Sequence, residues 1–440
     1  MIKEIIKKLK NKSFLIAYSG GLDSTVLLHQ LIEIKKITPD IKIRAIYINH
    51  NLTLLAKKWI KHCKKHCKIY QIPLTIKDID IHQNKNKTEE QLRIKRYSII
   101  YNHLLSEEIL LTGHHMNDQC ETFFLSLKRG SGPTGLSSMS FETILGNKTI
   151  IRPFLNKTKK ELELWANRKN LKWIEDFSNF NINHDRNYIR HNIIPVLEKR
   201  WPFFLKNCFR TIKICRKETI LLNDLLLEKI QNFIKFDNSL NIKSFQNIKK
   251  ETCTAFIRRW IRLQTIKMPS YKNIECIYHQ MILSRKDANP KIVLDENEIR
   301  RYKKSLYFIK TPPILNSTFL FWHKKNSKLI LPNNLGNLTQ DNQGMSLPKP
   351  RKNQLVNIRF QYEGKILILG RDKKRKIKKI WQEKNIPPWL RNQIPLLFYN
   401  NIFISALGVF IVNTKYTNKK TWKISWKNDL KSNNNKFLFY

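Results

Sequence analysis

Residues 14–24 read Phe-Leu-Ile-Ala-Tyr-Ser-Gly-Gly-Leu-Asp-Ser, an apolar run that enters a glycine turn. The run predicts a buried strand, and the apolar residues after the turn predict a helix. A turn of this kind aims backbone N–H groups and the positive end of a helix at one point, which favours an anion. We therefore predict a phosphate-binding loop, whose binding residues are Ser19, Gly20, Gly21, Leu22, Asp23 and Ser24.

The acid in this turn indicates that the anion arrives with a metal ion. The turn lacks the lysine and the G-x-x-x-x-G-K-S/T spacing of kinase-type P-loops, and Asp23 would repel a phosphate unless a divalent cation lay between them. We expect a Mg²⁺-nucleotide, with Asp23 facing the metal and the hydroxyls of Ser19 and Ser24 donating hydrogen bonds. The alternative is an ordinary turn in which the glycines relieve strain and a polar side chain caps the helix.

Outward from this turn, strand patterns alternate with amphipathic helical patterns as far as about residue 200. Capping-box sequences begin at Thr88 and Thr158, and each predicts a helix start. The alternation predicts an α/β fold with a doubly wound parallel sheet, in which ligands lie beyond the carboxyl ends of the strands. The predicted strands are 14–18, 41–48, 74–79, 109–112 and 150–153.

A second polar cluster, residues 112–122, follows the fourth predicted strand. A helix that begins near Met116 would place Asp118 and Glu121 on one face, close to the phosphate-binding loop, with His115 just before it. Helix capping by an acid and burial of a histidine are the alternative. We exclude a zinc site at His115, because no further ligands follow at a known spacing.

Two further segments are candidates for gripping phosphate. Arg93 and Arg96 lie three apart on the helix predicted after Thr88, where they suit bidentate phosphate binding or form a solvated basic face. The glycine-rich segment 129–136 suits close approach of an RNA backbone or a nucleotide, or is a plain surface loop.

Composition favours a polyanionic partner. The 440 residues carry 82 Lys+Arg against 34 Asp+Glu, a formal net charge of +48, which points to nucleic acid, although an A/T-rich genome would also enrich lysine by drift. Seven scattered cysteines predict free thiols rather than disulfides. With no run of eighteen apolar residues, we expect a soluble cytoplasmic protein without a membrane partner.

Four regions are predicted along the chain. Residues 1–205 form the catalytic α/β domain, and 206–325 form a connector and a central, mostly helical domain. Residues 326–352 have the composition of a linker. Residues 353–440 form a small α+β domain that contains the basic run 371–379.

Together these motifs resemble the tRNA(Ile)-lysidine synthases, which are PP-loop (N-type ATP pyrophosphatase) enzymes with an adenine nucleotide alpha-hydrolase-like fold. The resemblance covers nearly the whole chain and keeps the motifs in order. The matching segments are 19–24, 93–97, 114–122, 129–136, 152–153, 176–179, 186–190, 387–397 and 406–409. Two departures, Asn51 in place of glycine and Phe177 in place of proline, remove no chemical group.

The resemblance implies a ligase that uses ATP and Mg²⁺. ATP would adenylate C2 of the wobble cytidine in an isoleucine tRNA with a CAU anticodon, releasing pyrophosphate. The side-chain amine of L-lysine would then displace AMP to give lysidine, so that the tRNA reads AUA instead of AUG. The resemblance also implies that the central domain within 206–325 contacts the tRNA and that the domain 353–440 binds it. The implied catalytic residues are Asp23, His115, Asp118 and Glu121, with the two acids of the helix handling lysine and protons, and Arg93 or Arg96 contacting the α-phosphate or the RNA.

Two other functions stay open at this stage. A related PP-loop tRNA thiolase would commonly need paired C-x-x-C cysteines, and this chain has none. Its densest cysteine–histidine segment, residues 62–67, fits a surface helix face better than a ligand set. A catalytically inactive tRNA-binding protein is the other alternative. The sequence also leaves the oligomeric state open, a homodimer included.

Overall fold

The computed structural model divides the chain into two compact units, Met1–Leu222 and Asn223–Tyr440. It describes residues 2–8, 13–49, 56–79, 89–175, 177–265, 269–285, 288–323, 327–414 and 420–427. The capping box expected at Thr88 and the turn at Asn51 lie outside these residues. Every described helix is too short or too polar to span a bilayer.

A six-stranded sheet forms the centre of the first unit. Its strands are β1 Ser13–Ala17, β2 Lys42–Asn49, β3 Leu74–Asp78, β4 Ile109–Leu111, β5 Glu142–Leu145 and β6 Lys148–Ile151. The order across the sheet is β3-β2-β1-β4-β6-β5. All pairs are parallel except β5 with β6. The five predicted strands are confirmed, and β5 is an additional strand that pairs antiparallel at the edge.

The helices of the first unit cover both faces of this sheet. They are α1 Lys3–Lys8, α2 Leu22–Ile37, α3 Ala56–Ile69, α4 Glu89–His103, α5 Met116–Lys128, α6 Pro133–Leu136, α7 Lys159–Arg168, α8 Asp185–Tyr188, α9 Ile194–Arg200 and α10 Phe204–Gln231, which continues into the second unit. Strand β1 is buried on both faces of the sheet. Phe14 and Ile16 pack into the core beneath α2, α3 and α7 on one face, and Leu15 packs into the core beneath α4 on the other. A strand buried on both faces reads as a continuous apolar run, and the doubly wound α/β prediction is confirmed.

The direction of winding reverses beside β1. From β1 the chain passes to β2 and β3 on one side, then returns to β4 on the other side. In open parallel sheets the connections on the two sides of such a point diverge and leave a crevice at the carboxyl ends of the strands. The segments that follow β1 and β4, residues 18–22 and 112–115, therefore border one crevice.

The second unit is built mainly from antiparallel sheets. Its strands are β7 Leu240–Asn241, β8 Lys291–Leu294, β9 Asn297–Tyr302, β10 Ser305–Lys310, β11 Phe319–Phe321, β12 Leu329–Ile330, β13 Asn337–Pro348, β14 Val356–Arg359, β15 Lys365–Ile366, β16 Arg375–Lys376, β17 Leu396–Tyr399, β18 Ile402–Ala406, β19 Phe410–Ile411 and β20 Thr421–Lys427. Its helices are α11 Lys250–Gln264, α12 Tyr271–Ile277, α13 Ile377–Glu383 and α14 Pro388–Arg391.

The structure adds to one expectation and corrects two others. The central region has more helical than strand residues, as expected, but it also contains an unexpected four-stranded sheet, β7–β10, which packs against α11 and α12. Residues 326–352 are not simply a linker, because β13 pairs with β20 around an irregularity between Gln340 and Met345. That pairing joins segments some eighty residues apart, so local composition gave no sign of it. On α3, Cys63 and Cys67 are core residues rather than part of a surface face.

Candidate active site

The loop after β1 has the backbone of a phosphate-binding turn. Gly20 has a φ of +78°, a conformation that residues with a side chain rarely adopt. A Cβ atom at Gly20 would also lie 2.8 Å from Cys63 Sγ, so α3 closes the space behind the loop. Gly21 is the N-cap of α2 and uses no side chain for capping, so the first N–H groups of this sixteen-residue helix have no capping partner.

Most side chains of this loop make contacts within the protein. The Ser24 hydroxyl donates to the Gly21 carbonyl at 3.0 Å and accepts from the Ser19 N–H at 3.2 Å, so it is engaged inside the loop. Leu22 packs into the core, which leaves only its backbone for a ligand. Ser19 is exposed, but its Oγ lies 3.1 Å from Ser24 Oγ and accepts from the Gly21 N–H at 3.4 Å.

The two loops meet at Asp23. A Cβ atom on Gly113, in the loop after β4, would lie 3.0 Å from the carbonyl carbon of Asp23, so glycine is needed for this approach. His115 lies between two carboxylates, with Nε2 3.6 Å from Asp23 Oδ1 and Nδ1 3.5 Å from Asp118 Oδ2. The structure thus brings together three of the residues that the sequence identified.

The surroundings of Asp23 disfavour its ionised form. Its Oδ1 atom is buried and has no hydrogen-bond partner. Burial raises the pKa of Asp23, the nearby Asp118 raises it further, and the attraction of His115 offsets these effects only in part. An unsatisfied carboxylate oxygen of this kind suits a hard divalent cation. Among the described residues no cluster of three or more His, Cys, Asp or Glu could hold a metal by itself.

Asp118 is held in its ionised form. Helix α5 begins at Met116, as predicted, and His115 and Asp118 form a reciprocal capping box, with the His115 N–H donating to Asp118 Oδ2 at 2.9 Å. Burial would raise the pKa of Asp118, but His115, His114 and Arg186 outweigh it and keep the pKa well below its usual range. Capping and a charged site, which are alternatives from the sequence alone, are therefore compatible here.

Glu121 is fully buried beneath two arginines. Its Oε1 accepts from Arg190 Nε at 2.6 Å, and its Oε2 accepts from Arg190 Nη2 at 2.9 Å and from Arg186 Nε at 3.0 Å. Arg190 Nη2 also reaches Asp118 Oδ1 at 3.4 Å. Both oxygens of Glu121 are thus engaged by arginines. The role expected for this acid in handling lysine or protons stays a prediction, one that these contacts do not favour. The geometry makes it a residue that positions the arginines.

Arg186 and Arg190 are the functional residues that the residue patterns alone undervalued. Only the family resemblance identifies them from the sequence, through the segment 186–190. They lie on α8 and on the π-helical turn Ile189–Ile193 that follows it. Their spacing of four residues, which places them on one helical face, is the signal that the sequence offers. The sequence does not show their partner, Glu121, because it is 65 residues upstream of Arg186.

The two arginines of α4 lie beside the cluster rather than within the carboxylate network. Arg93 and Arg96 both approach the ring of Tyr97, at 5.8 and 5.7 Å from its centroid. The charge of Arg96 also reaches His114, whose pKa is lowered to about 3, mainly by burial. His114 is therefore neutral at physiological pH, and its Nδ1 lies 2.9 Å from the Thr112 hydroxyl.

The glycine-rich segment after α5 is exposed but anchored at its far end. Gly130 has a φ of +64°, and α6 begins at Pro133. The buried Gln119 side chain donates to the Met139 carbonyl at 2.7 Å and accepts from the Met139 N–H at 2.8 Å. This pair fixes the end of the segment to the same helix that carries Asp118. In the motif 176–179, Asp176 lies outside the described residues.

Comparison with protein families divides the chain into three matching parts. Residues 1–197 match the PP-loop domain, residues 240–307 match the TilS substrate binding domain, and residues 356–426 match the TilS substrate C-terminal domain.

Curated relatives match over the full length. A protein of Buchnera aphidicola subsp. Acyrthosiphon pisum (strain APS) named tRNA(Ile)-lysidine synthase is 70% identical, and 100% of each chain is covered. A protein of the same name from Serratia proteamaculans (strain 568) is 38% identical, covering 95% of this chain and 96% of the relative. Among solved structures, a U34-tRNA thiolase, NcsA from Methanococcus maripaludis, covers 48% of this chain and 77% of its own at 21% identity, with a TM-score of 0.42.

Proposed function

The chain belongs to the tRNA(Ile)-lysidine synthase family, and from that premise we propose how its residues carry out the reaction. The protein is an ATP-dependent ligase that forms lysidine on an isoleucine tRNA. The observation that carries the proposed site is the meeting of the loops after β1 and β4, where Asp23, His115 and Asp118 lie in a row. The roles given below to single residues, to lysine and to Mg²⁺ are proposals.

ATP would lie with its phosphates on the β1–α2 turn. The uncapped N-terminus of α2 and the positive φ of Gly20 present backbone N–H groups to the pyrophosphate that leaves. The exposed hydroxyl of Ser19 lies beside them. Arg93 and Arg96, on the other side of the β4 loop, would contact the α-phosphate or the RNA and offset the charge that develops during adenylation.

Asp23 fits a Mg²⁺ ion that accompanies the nucleotide. Its Oδ1 has no hydrogen-bond partner, and burial raises its pKa more than the attraction of His115 lowers it. Mg²⁺ commonly binds through one or two carboxylates together with substrate phosphates and water. When bound, the ion would neutralise part of the phosphate charge; Asp23 is the protein ligand that we assign to it.

Asp118 is the group that we assign to the side-chain ammonium of L-lysine. Its pKa lies below the usual range, so it stays anionic at physiological pH and binds a cation better than it accepts a proton. His115 lies between the two aspartates, 3.5 Å from Asp118 Oδ2 and 3.6 Å from Asp23 Oδ1. On the other side of Asp118, Arg190 contacts its Oδ1 and is itself held by Glu121. The wobble cytidine would enter between the nucleotide and this carboxylate.

The partner predicted from the full sequence is the isoleucine tRNA with a CAU anticodon, and the oligomeric state stays a prediction. The seven cysteines are all free in the structure, which is typical of a reducing compartment and supports the predicted cytoplasmic location.

The test follows labelled lysine into an isoleucine tRNA transcript in the presence of ATP. Wild-type protein should incorporate lysine and release pyrophosphate. Asp118→Asn should raise the KM for lysine about 10- to 100-fold, the worth of a hydrogen bond between charged groups, while pyrophosphate release without lysine persists. Loss of pyrophosphate release together with lysine transfer would contradict the role given to Asp118. Sulfur transfer without lysine incorporation would favour a thiolase, and binding without turnover would favour an inactive tRNA-binding protein.

A further inference from the structure

The basic run 371–379 is not one uniform surface. Arg371 and Arg375 both pair with the single carboxylate of Glu383, so these two guanidinium groups are partly compensated. Lys376 and Lys378 instead line a cavity of about 480 Å³ next to α13. The sequence displayed the run as a single block of charge, whereas the fold separates its paired members from those that face a cavity.

Cations dominate the wall of this cavity. Lys365, Lys376, Lys378 and Arg391 line it, and within the described part of the chain none of the four lies within ion-pair distance of a carboxylate. The carboxylate on the same wall, Glu363, lies 3.3 Å from the Gln361 amide that donates to it. The cavity therefore holds an excess of uncompensated positive charge.

Two of these lysines are in direct opposition. Lys365 and Lys376 are register partners across the antiparallel β15–β16 pair. Like charges that face each other across a ladder destabilise it, so this short hairpin carries a cost that a bound anion would relieve. Arg391 lies on the same wall, and burial lowers the pKa of its guanidinium more than Tyr302 raises it.

The remaining wall suits the organic part of a nucleotide. Tyr362 and Trp381 border the cavity, but Trp381 is a core residue that is only 5% exposed, so Tyr362 is the ring that a base can contact. Phe403 supports the Tyr362 ring from behind, at 4.8 Å between centroids. The volume lies within the range of about 300–1,000 Å³ that is usual for small-molecule sites. Aromatic surfaces beside cations are typical of sites that hold a nucleotide of RNA.

We propose that this cavity, bounded by Lys365, Lys376, Lys378 and Arg391, is a phosphate subsite that binds one backbone phosphate of the RNA substrate together with its nucleoside. The proposal rests on the tRNA substrate of the proposed function and adds to it a defined contact in the second unit. The rest of the basic run contributes long-range attraction.

The decisive variant is Lys365→Glu. It removes the cavity's anion affinity, yet it replaces a repulsive cross-strand pair with an attractive one, so the hairpin is expected to be at least as stable as before. Losing one phosphate contact lowers the slope of log Kobs against log salt by about 0.7–0.9, which corresponds to about five- to eightfold weaker binding at 0.1 M salt. Filter binding of a tRNA transcript at several salt concentrations measures both quantities.

The matched control is the double variant Lys373→Ala/Lys374→Ala, which makes the same change in net charge in the same run but outside the cavity wall. Equal weakening by the control and by Lys365→Glu would overturn the subsite in favour of diffuse attraction, as would an unchanged slope in Lys365→Glu. Competition of wild-type binding by inorganic phosphate alone, with no added effect of a mononucleotide, would overturn the nucleoside part. Because filter binding needs no turnover, a wild-type protein that binds tRNA with the full slope but forms no lysidine would refute the proposed function and leave the subsite standing.

Discussion

Replacing Glu121 with glutamine separates the role that its sequence position predicts from the role that the structure gives it. If Glu121 handles the protons of lysine, the substitution should abolish activity and leave stability unchanged, because glutamine has nearly the same shape. If Glu121 holds the two arginines, the substitution should lower the free energy of unfolding. The two interpretations therefore predict different stabilities for the same variant, Glu121→Gln.

The expected loss of stability follows from the contacts. Glu121 is fully buried and accepts three charge-assisted hydrogen bonds of 2.6–3.0 Å from Arg186 and Arg190. Breaking a buried pair by removing one partner costs about 3–5 kcal/mol. The arginine side chains are 22% and 27% exposed, so water repays part of that loss. Glutamine keeps one acceptor but turns an N–H₂ group toward a guanidinium. We therefore expect the free energy of unfolding to fall by about 3 kcal/mol.

Calorimetry on the full-length protein gives the measurement. For a unit of about 150–250 residues, a change of 1 kcal/mol shifts Tm by about 2–4 °C, so the transition of the first unit should fall by about 6–12 °C. Activity should also fall, since Arg190 no longer holds Asp118. The control is Glu33→Gln, which removes a half-exposed partner of Lys169 at 3.2 Å and should change stability by less than about 0.5 kcal/mol. A Tm within about 1.5 °C of wild type, combined with a hundredfold loss of lysine transfer, would refute this reasoning and restore Glu121 as a group that acts on the substrate.

Two other substitutions test the meeting point of the loops. Burial and Asp118 raise the pKa of Asp23, so the ionised carboxylate destabilises the folded state at neutral pH. Asp23→Asn should therefore raise Tm at pH 7 without Mg²⁺ or ATP, and this gain should vanish as the pH falls below the ordinary pKa of an aspartic acid. Pyrophosphate release by the same variant should drop at least about 100-fold. A lower Tm at pH 7 would show that the ionised carboxylate of Asp23 does not destabilise the folded state. Gly113→Ala puts a Cβ atom 3.0–3.1 Å from Asp23 and should move that loop by a few tenths of an ångström, so kcat/KM for ATP should fall about tenfold; an unchanged value in steady-state kinetics would mean that the spacing of the loops does not matter.

Much of the first unit could be predicted because its signals are local. A strand buried on both faces must be apolar throughout, as Phe14–Ala17 is, and a glycine turn before a helix carries its own conformational requirement. The capping box at Thr158 is confirmed for the same reason, since its partner Glu161 is three residues away. By contrast, the second unit has few local signals, and the long strand β13 is defined by its pairing with β12 and with β20, which lies far along the chain.

The sequence by itself determined which residues carry chemistry: the turn of Ser19–Ser24, the acids after the fourth strand, and the family to which they belong. Only the tertiary structure decided what each group can still do. It left Asp23 with an unsatisfied oxygen, kept Asp118 ionised, and closed Glu121 beneath Arg186 and Arg190. The physical reason is that the chemistry of a carboxylate depends on the charges and the water around it. For Asp23 and Glu121 those charges come from residues some 65–95 positions away along the chain, and for Asp118 the distant Arg186 adds to the neighbouring His115 and His114.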